Sequence, residues 1–215
     1  MVYPIAKLTI TPFIKLFIKK INGKENIIRG KPFIVACNHA SFFDDLAVPS
    51  VIVPIINKKL HFYVHSAYFK NYFLRKLLNW GGSIPVDPTK SKKHKETNKK
   101  AFQTALRYLK DGKIVGIFPE GTRSQDGKLQ KARTGIAKLA IAAKVPVLPM
   151  GIIGSYKILP KGSYLLRPKR CKINIGKPLY FKEYYNKSLN KKDLYTITRI
   201  IMKDIAKLVG QKYNY

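Results

Sequence analysis

Apolar residues recur along this chain at two spacings, and the alternation between them predicts an α/β fold. Residues 33–37 and 114–118 are short uninterrupted apolar runs, which read as strands buried on both faces of a sheet. Further runs at 62–64, 84–86, 145–153 and 172–175 read as strands too, and Pro85 places 84–86 at an edge or strand end. Between them the spacing changes to three and four. Residues 46–56, with Pro49 and Pro54, predict a short helix that stops near Pro54. Residues 67–80 carry Tyr68, Tyr72, Leu74, Leu77 and Leu78 at helical spacing and end at Gly81-Gly82, a helix stop. After a basic stretch over 90–100, Ala101, Phe102, Ala105, Leu106 and Leu109 form one apolar stripe, and Asp111-Gly112 turns the chain. Helices over 135–143 and 189–209 complete the pattern, the last with Leu194, Ile197, Ile201, Ile205 and Leu208 on one face. Strands alternating with helices, without an internal repeat, imply a single α/β domain: a mixed β-sheet flanked by helices.

The N-terminus reads differently. Over residues 4–21, Ile10, Phe13, Ile14, Phe17, Ile18 and Ile21 recur at helical spacing, with Lys15 and Lys19 on another face. Pro12 breaks or restarts this helix. Such a stripe suits a helix lying among lipid headgroups, and equally one packed on its own domain. Residues 1–22 are therefore expected to form an amphipathic membrane-associating segment, and 23–215 the domain proper. No segment reaches the roughly 18 apolar residues of a membrane-spanning helix. Lys7, Lys15, Lys19 and Lys20 interrupt any signal-peptide core. The expected location is thus peripheral or monotopic, on the cytoplasmic face of a membrane.

Charge narrows the choice of partners. The 215 residues include 42 Lys+Arg against 11 Asp+Glu, a net charge of +31. A field of that sign attracts nucleic acid, anionic lipid headgroups or phosphorylated small molecules, although a merely solvated lysine-rich surface has the same composition. The two cysteines, Cys37 and Cys171, make neither a disulfide framework nor a zinc site, and no metal is expected. Cys37, inside an apolar run, reads as a small buried hydrophobe.

Two strings carry candidate chemistry. The first is Asn38-His39-Ala40-Ser41-Phe42-Phe43-Asp44, directly after the strand over 33–37. Histidine titrates near neutrality and can take a proton from a hydroxyl, and a carboxylate can hold its ring and stabilise the imidazolium. If the chain enters a helix after His39, Asp44 lies a little over one turn away. Asn38 and Ser41 could support this pair or simply cap the following helix. Asp45 is expected to cap or to be solvated. The second string is Phe118-Pro119-Glu120-Gly121-Thr122-Arg123-Ser124, again at the end of a buried strand. Gly121 permits unusual dihedrals, and Arg123 can grip a phosphate through two parallel hydrogen bonds. Glu120, amid so much positive charge, is expected to be ionised and to hold Arg123 or a substrate hydroxyl.

Together these strings resemble the glycerolipid acyltransferase family, which includes the 1-acyl-sn-glycerol-3-phosphate acyltransferases. Gly82-Ser83-Ile84-Pro85-Val86-Asp87 resembles the family's second block and Val145-Pro146-Val147-Leu148-Pro149 its fourth. The resemblance implies a glycerolphosphate acyltransferase-like fold, with His39 as general base and Asp44 as its orienting partner. Glu120, Gly121, Thr122 and Arg123 would hold the acceptor's phosphoglycerol part, and the fourth block would help line the acyl site. The implied reaction moves a fatty acyl group from acyl-CoA or acyl carrier protein to the sn-2 hydroxyl of lysophosphatidic acid. It forms phosphatidic acid in phospholipid biosynthesis and needs no cofactor. One departure stands out: the family's second block usually ends in a phosphate-binding arginine after the aspartate, and here Pro88 follows Asp87. Lys90, Lys92 and Lys93 are the candidate replacements for its charge, and other lysophospholipids or glycerol-3-phosphate are the alternative acceptors. A basic nucleic-acid-binding protein is the alternative from another class, without a recognisable nucleic-acid motif.

Overall fold

In this computed structural model the described residues are 7–89, 94–160, 162–163 and 165–215. Among them, seven strands form one sheet: β1 (Ile18–Asn22), β2 (Ile34–Cys37), β3 (Leu60–His65), β4 (Ile84–Val86), β5 (Ile114–Ile117), β6 (Val147–Ile153) and β7 (Cys171–Ile175). The spatial order is β1-β7-β6-β2-β5-β3-β4. All neighbours run parallel except β6 and β7, so the sheet is mixed, as expected. Central β2 and β5 are buried along their whole length. Side chains in β2 alternate between two cores. Ile34 and Ala36 face one that holds Ala101, Leu109, Ile136, Leu139, Ile197 and Ile201. Val35 and Cys37 face another that holds Ile14, Phe43, Val48 and Ile52. Helices therefore cover both faces, which is why the central strands lack polar alternation. On the first face lie α4 (His94–Lys110), α5 (Gly135–Ala143) and α7 (Lys191–Val209). On the second lie α1 (Ile10–Leu16) and α2 (Asp44–Ile56). Pro85 sits in β4, at an edge of the sheet.

Three expectations are corrected. The helix expected over 4–21 covers Ile10–Leu16 among the described residues, and Ile18–Asn22 is instead strand β1, parallel to β7. The Phe17 carbonyl accepts from the Cys171 N–H at 2.8 Å, and this long-range pairing overrides a spacing that suits a helix. Residues 18–22, grouped by their pattern with a membrane segment, thus belong to the sheet. Secondly, the helix expected over 46–56 begins two residues earlier, at Asp44, and ends at Ile56 near Pro54 as expected, with both prolines inside it. Burial of Val48, Val51, Ile52 and Val53 holds it despite the missing N–H groups. Thirdly, the helix expected over 67–80 is divided. A short 3₁₀ turn, Ser66–Lys70, precedes α3 (Tyr72–Gly81), and the Asn71 side chain caps α3 by accepting from Phe73 N and Leu74 N. Not one residue of α3 is buried. The remaining helix, α6 (Ser155–Ile158), is a single turn after β6. Among the described residues no helix is long and apolar enough to cross a membrane.

Candidate active site

The C-terminal end of β2 is pinned by Asn38. Its Nδ2 donates to the Ile152 carbonyl at 3.0 Å, and its Oδ1 accepts from Ile152 N at 2.8 Å. This two-way clamp to β6 replaces the helix-capping role, and it holds the next residue, His39, at the sheet's edge. Ser41 is likewise not a cap: its Oγ donates to the Leu159 carbonyl at 2.7 Å and accepts from Phe43 N at 3.0 Å. Asp44 reaches back not along a helix, as expected, but across a tight turn, because α2 begins only at Asp44 itself. Its Oδ2 accepts three times: from Ala40 N at 2.7 Å, from Ser41 N at 2.8 Å and from His39 Nδ1 at 3.1 Å. Asp44 is fully buried. A carboxylate offers only acceptors, so Nδ1 carries the ring proton and Nε2 keeps a lone pair. The ring is fixed on its face as well, since it stacks on Phe118 at 3.9 Å between centroids and 11° between planes.

The two strings are stitched together through the backbone of His39. Its N–H donates to Glu120 Oε1 at 2.9 Å, and its carbonyl accepts from Ser124 N at 2.8 Å. Glu120 departs from its expected role. It is buried, and its second oxygen accepts from Gln130 N at 2.6 Å, so it positions two backbones and does not pair with Arg123. Burial, rather than the chain's positive charge, dominates its titration and pushes its pKa up to about 7, against the lowering effect of the two N–H bonds. Arg123 rests on an aromatic face instead, with its guanidinium carbon 3.5 Å from the centroid of the Phe42 ring. Its Nη1 is buried without a partner among the described residues, an uncompensated donor that an anion would satisfy. Gly121 takes φ +67°, in the left-handed region, and Thr122 is exposed beside it.

Sequence reasoning missed several contributors. Phe118 and Phe42, read only as apolar, supply the platforms under His39 and Arg123. Asp45 is neither a cap nor freely solvated. Burial pushes its pKa up to about 6, and it lies within electrostatic reach of His39, Asp44 and Arg123. In the fourth block Val147 and Leu148 are buried in β6, and Leu148 pairs with Val35 of β2, so these two residues belong to the core beneath the site. Lys90, Lys92 and Lys93 lie outside the described residues.

The histidine held by a buried carboxylate thus follows β2, and Arg123 with its unsatisfied Nη1 follows β5, the neighbouring strand of the sheet. The acyltransferase family model matches residues 19–153, well over half of the sequence. The chain belongs to the acyltransferase family. This acyltransferase is 28% identical, over 166 residues, to the 1-acyl-sn-glycerol-3-phosphate acyltransferase of Bacillus subtilis, covering 77% of this chain and 75% of that one. It is 29% identical over 177 residues to the chloroplastic 1-acyl-sn-glycerol-3-phosphate acyltransferase LPAT1 of Arabidopsis thaliana, covering 81% of this chain and 46% of the plant protein, about half its length. The crystal structure of the acyltransferase PlsC from Thermotoga maritima superposes with a TM-score of 0.69 at 23% identity, covering 98% of this chain and 83% of that one. That likeness establishes the shared α/β fold.

Proposed function

We propose that this acyltransferase transfers a fatty acyl group from a thioester donor, acyl-CoA or acyl carrier protein, to the sn-2 hydroxyl of lysophosphatidic acid. The observation that carries this reading is the His39–Asp44 pair, placed by the Ser124–His39 backbone bond beside the unpaired donor of Arg123. His39 Nε2 takes the hydroxyl proton while the oxygen attacks the thioester carbonyl. The tetrahedral intermediate then collapses, the C–S bond breaks, and the imidazolium returns its proton to the departing thiolate. Products are phosphatidic acid and a free thiol, and the step balances without a nucleotide or metal. Asp44 stabilises the transient imidazolium across 3.1 Å. Arg123 and the Gly121-Thr122 turn hold the acceptor's phosphoglycerol. Replacing His39 by Ala is expected to lower the rate by roughly 10²–10⁴-fold. Product analysis with labelled lysophosphatidic acid and both donors reads it directly, and full activity in that variant sinks the proposal. Because Pro88 carries no charge, the same assay includes lysophosphatidylglycerol and glycerol-3-phosphate as competing acceptors. A preference for either moves the acceptor assignment and leaves the transfer chemistry intact.

The reading also places the enzyme on an anionic membrane surface, where its acceptor resides. The net charge of +31 supports this. So do two apolar faces: Leu8, Ile10, Phe13 and Leu16 around α1, and Tyr72, Phe73, Leu74, Leu77 and Trp80 of α3, all exposed. The turn before α3 leads to the site, since Tyr68 meets Phe42, the platform of Arg123, edge to face at 5.9 Å.

A further inference from the structure

The position where a phosphate-binding arginine was expected holds Pro88, but a guanidinium from elsewhere in the chain stands next to it. Arg133 lies in the loop before α5, with its N–H bonded to the Pro119 carbonyl at 2.8 Å. That bond roots it at the base of the Glu120-Gly121-Thr122-Arg123 turn. Its side chain is exposed and runs over this turn. A Cβ built on Gly121 would lie 3.1 Å from Arg133 Nε and 3.6 Å from Cζ, so the guanidinium passes in close contact over the Gly121 backbone. The far end, Nη2, donates to the Pro88 carbonyl at 3.0 Å. Among the described residues this is its one side-chain hydrogen bond, and a guanidinium has five N–H donors. Arg133 thus spans from the end of β5 to the end of β4, on the same C-terminal edge of parallel strands where β2 delivers His39. Arg123, two residues beyond Gly121, rests on Phe42 with an unpaired donor of its own.

We infer that Arg133 is a second phosphate ligand and sets the preference of this enzyme for an acceptor bearing a phosphomonoester. It supplies from the α5 side the charge that Pro88 cannot. The inference rests on the acceptor reading above, and deepens it. A dianionic phosphate beside the Gly121 turn would meet two planar forks, Arg123 and Arg133, and each can donate two parallel hydrogen bonds. The Pro88 carbonyl holds the second fork in place before the acceptor arrives, so less side-chain freedom is lost on binding.

The test compares the unaltered full chain with Arg133→Ala and Arg133→Lys, using lysophosphatidic acid and 1-acylglycerol, which lacks the phosphate, as acceptors. For Arg133→Ala the KM for lysophosphatidic acid is expected to rise roughly 10–100-fold, with kcat within a few-fold. Arg133→Lys should recover part of that loss, because it keeps the charge without the fork. Slow turnover of 1-acylglycerol should be the same in all three proteins. Thermal unfolding verifies that both variants fold, as an exposed side chain allows. An unchanged KM for lysophosphatidic acid overturns the inference. An equal loss toward both acceptors also overturns it, since Arg133 would then only brace the loop against Pro88. If the unaltered enzyme acylates 1-acylglycerol as readily as lysophosphatidic acid, the acceptor reading itself falls, and Arg133 with it.

Discussion

Asp44 is a full charge at zero exposure, held by three donors on one oxygen while the other, Oδ1, has no partner among the described residues. Its value to the reaction is therefore electrostatic as well as geometric. In Asp44→Asn the side-chain oxygen can keep the Ala40, Ser41 and His39 bonds, but the charge that stabilises an imidazolium is gone. We expect kcat to fall roughly 10²–10⁴-fold with acceptor binding retained. Steady-state kinetics together with lipid binding check this, and a variant that loses binding and turnover alike would place Asp44 in the scaffold instead. Sequence alone allowed His39 and Asp44 to pair by spacing. It could not tell that the turn between them is closed by Asp44 itself, because that turn depends on Ser41 being anchored to Leu159 far along the chain.

At the scale of elements, α3 is the place where pattern and structure disagree most usefully. Its apolar residues repeat like a core helix, yet Phe73, Leu77 and Trp80 are 79%, 59% and 55% exposed. They lie at i, i+4 and i+7, on one face, flanked by Arg75 and Lys76, whose cationic ends sit 5.7 Å and 4.6 Å from the centroid of the Tyr72 ring. Periodicity reports an apolar stripe but not what covers it. Under the proposed membrane reading, replacing two of these exposed side chains, in Phe73→Ser with Leu77→Ser, is expected to cut sedimentation with anionic phospholipid vesicles at least roughly tenfold. The melting temperature should hardly move, because neither side chain is in the core. Unchanged sedimentation would assign membrane contact to α1 instead. Deleting residues 1–21 is a poorer test, since most of β1 would go with them and the edge of the sheet would be lost.

Across the whole molecule, burying acidic groups in a strongly basic chain links stability to pH. The pKa of Glu120 is raised from 4.5 to about 7. The folded state therefore holds this proton more tightly than the unfolded chain does. Its contribution is fully present below pH 4.5 and is lost as pH rises through about 7. Glu120→Gln removes the titration, and it also turns an amide N–H toward a backbone donor, so it is less stable than the parent at low pH. Between pH 5 and 8 the gap should narrow by about 2 to 3 kcal/mol, measured by urea unfolding at both ends. A gap independent of pH would mean that Glu120 is ionised throughout.

By itself the sequence determined the reaction class and most of the layout. Buried strands are legible because apolar β-branched runs have few other ways to hide, and the two motif strings are local, each fitting on one strand end. Local signals also named His39, Asp44 and Arg123. Only the tertiary structure decided the rest, because it depends on contacts between distant segments. The sheet claimed residues 18–22 through Cys171, α3 was left uncovered, and Glu120 was turned inward to hold His39. Arg133 was carried to Pro88, where the sequence showed only a missing charge. Spacing along a chain cannot encode which distant side chain fills such a gap; the path of the backbone sets it.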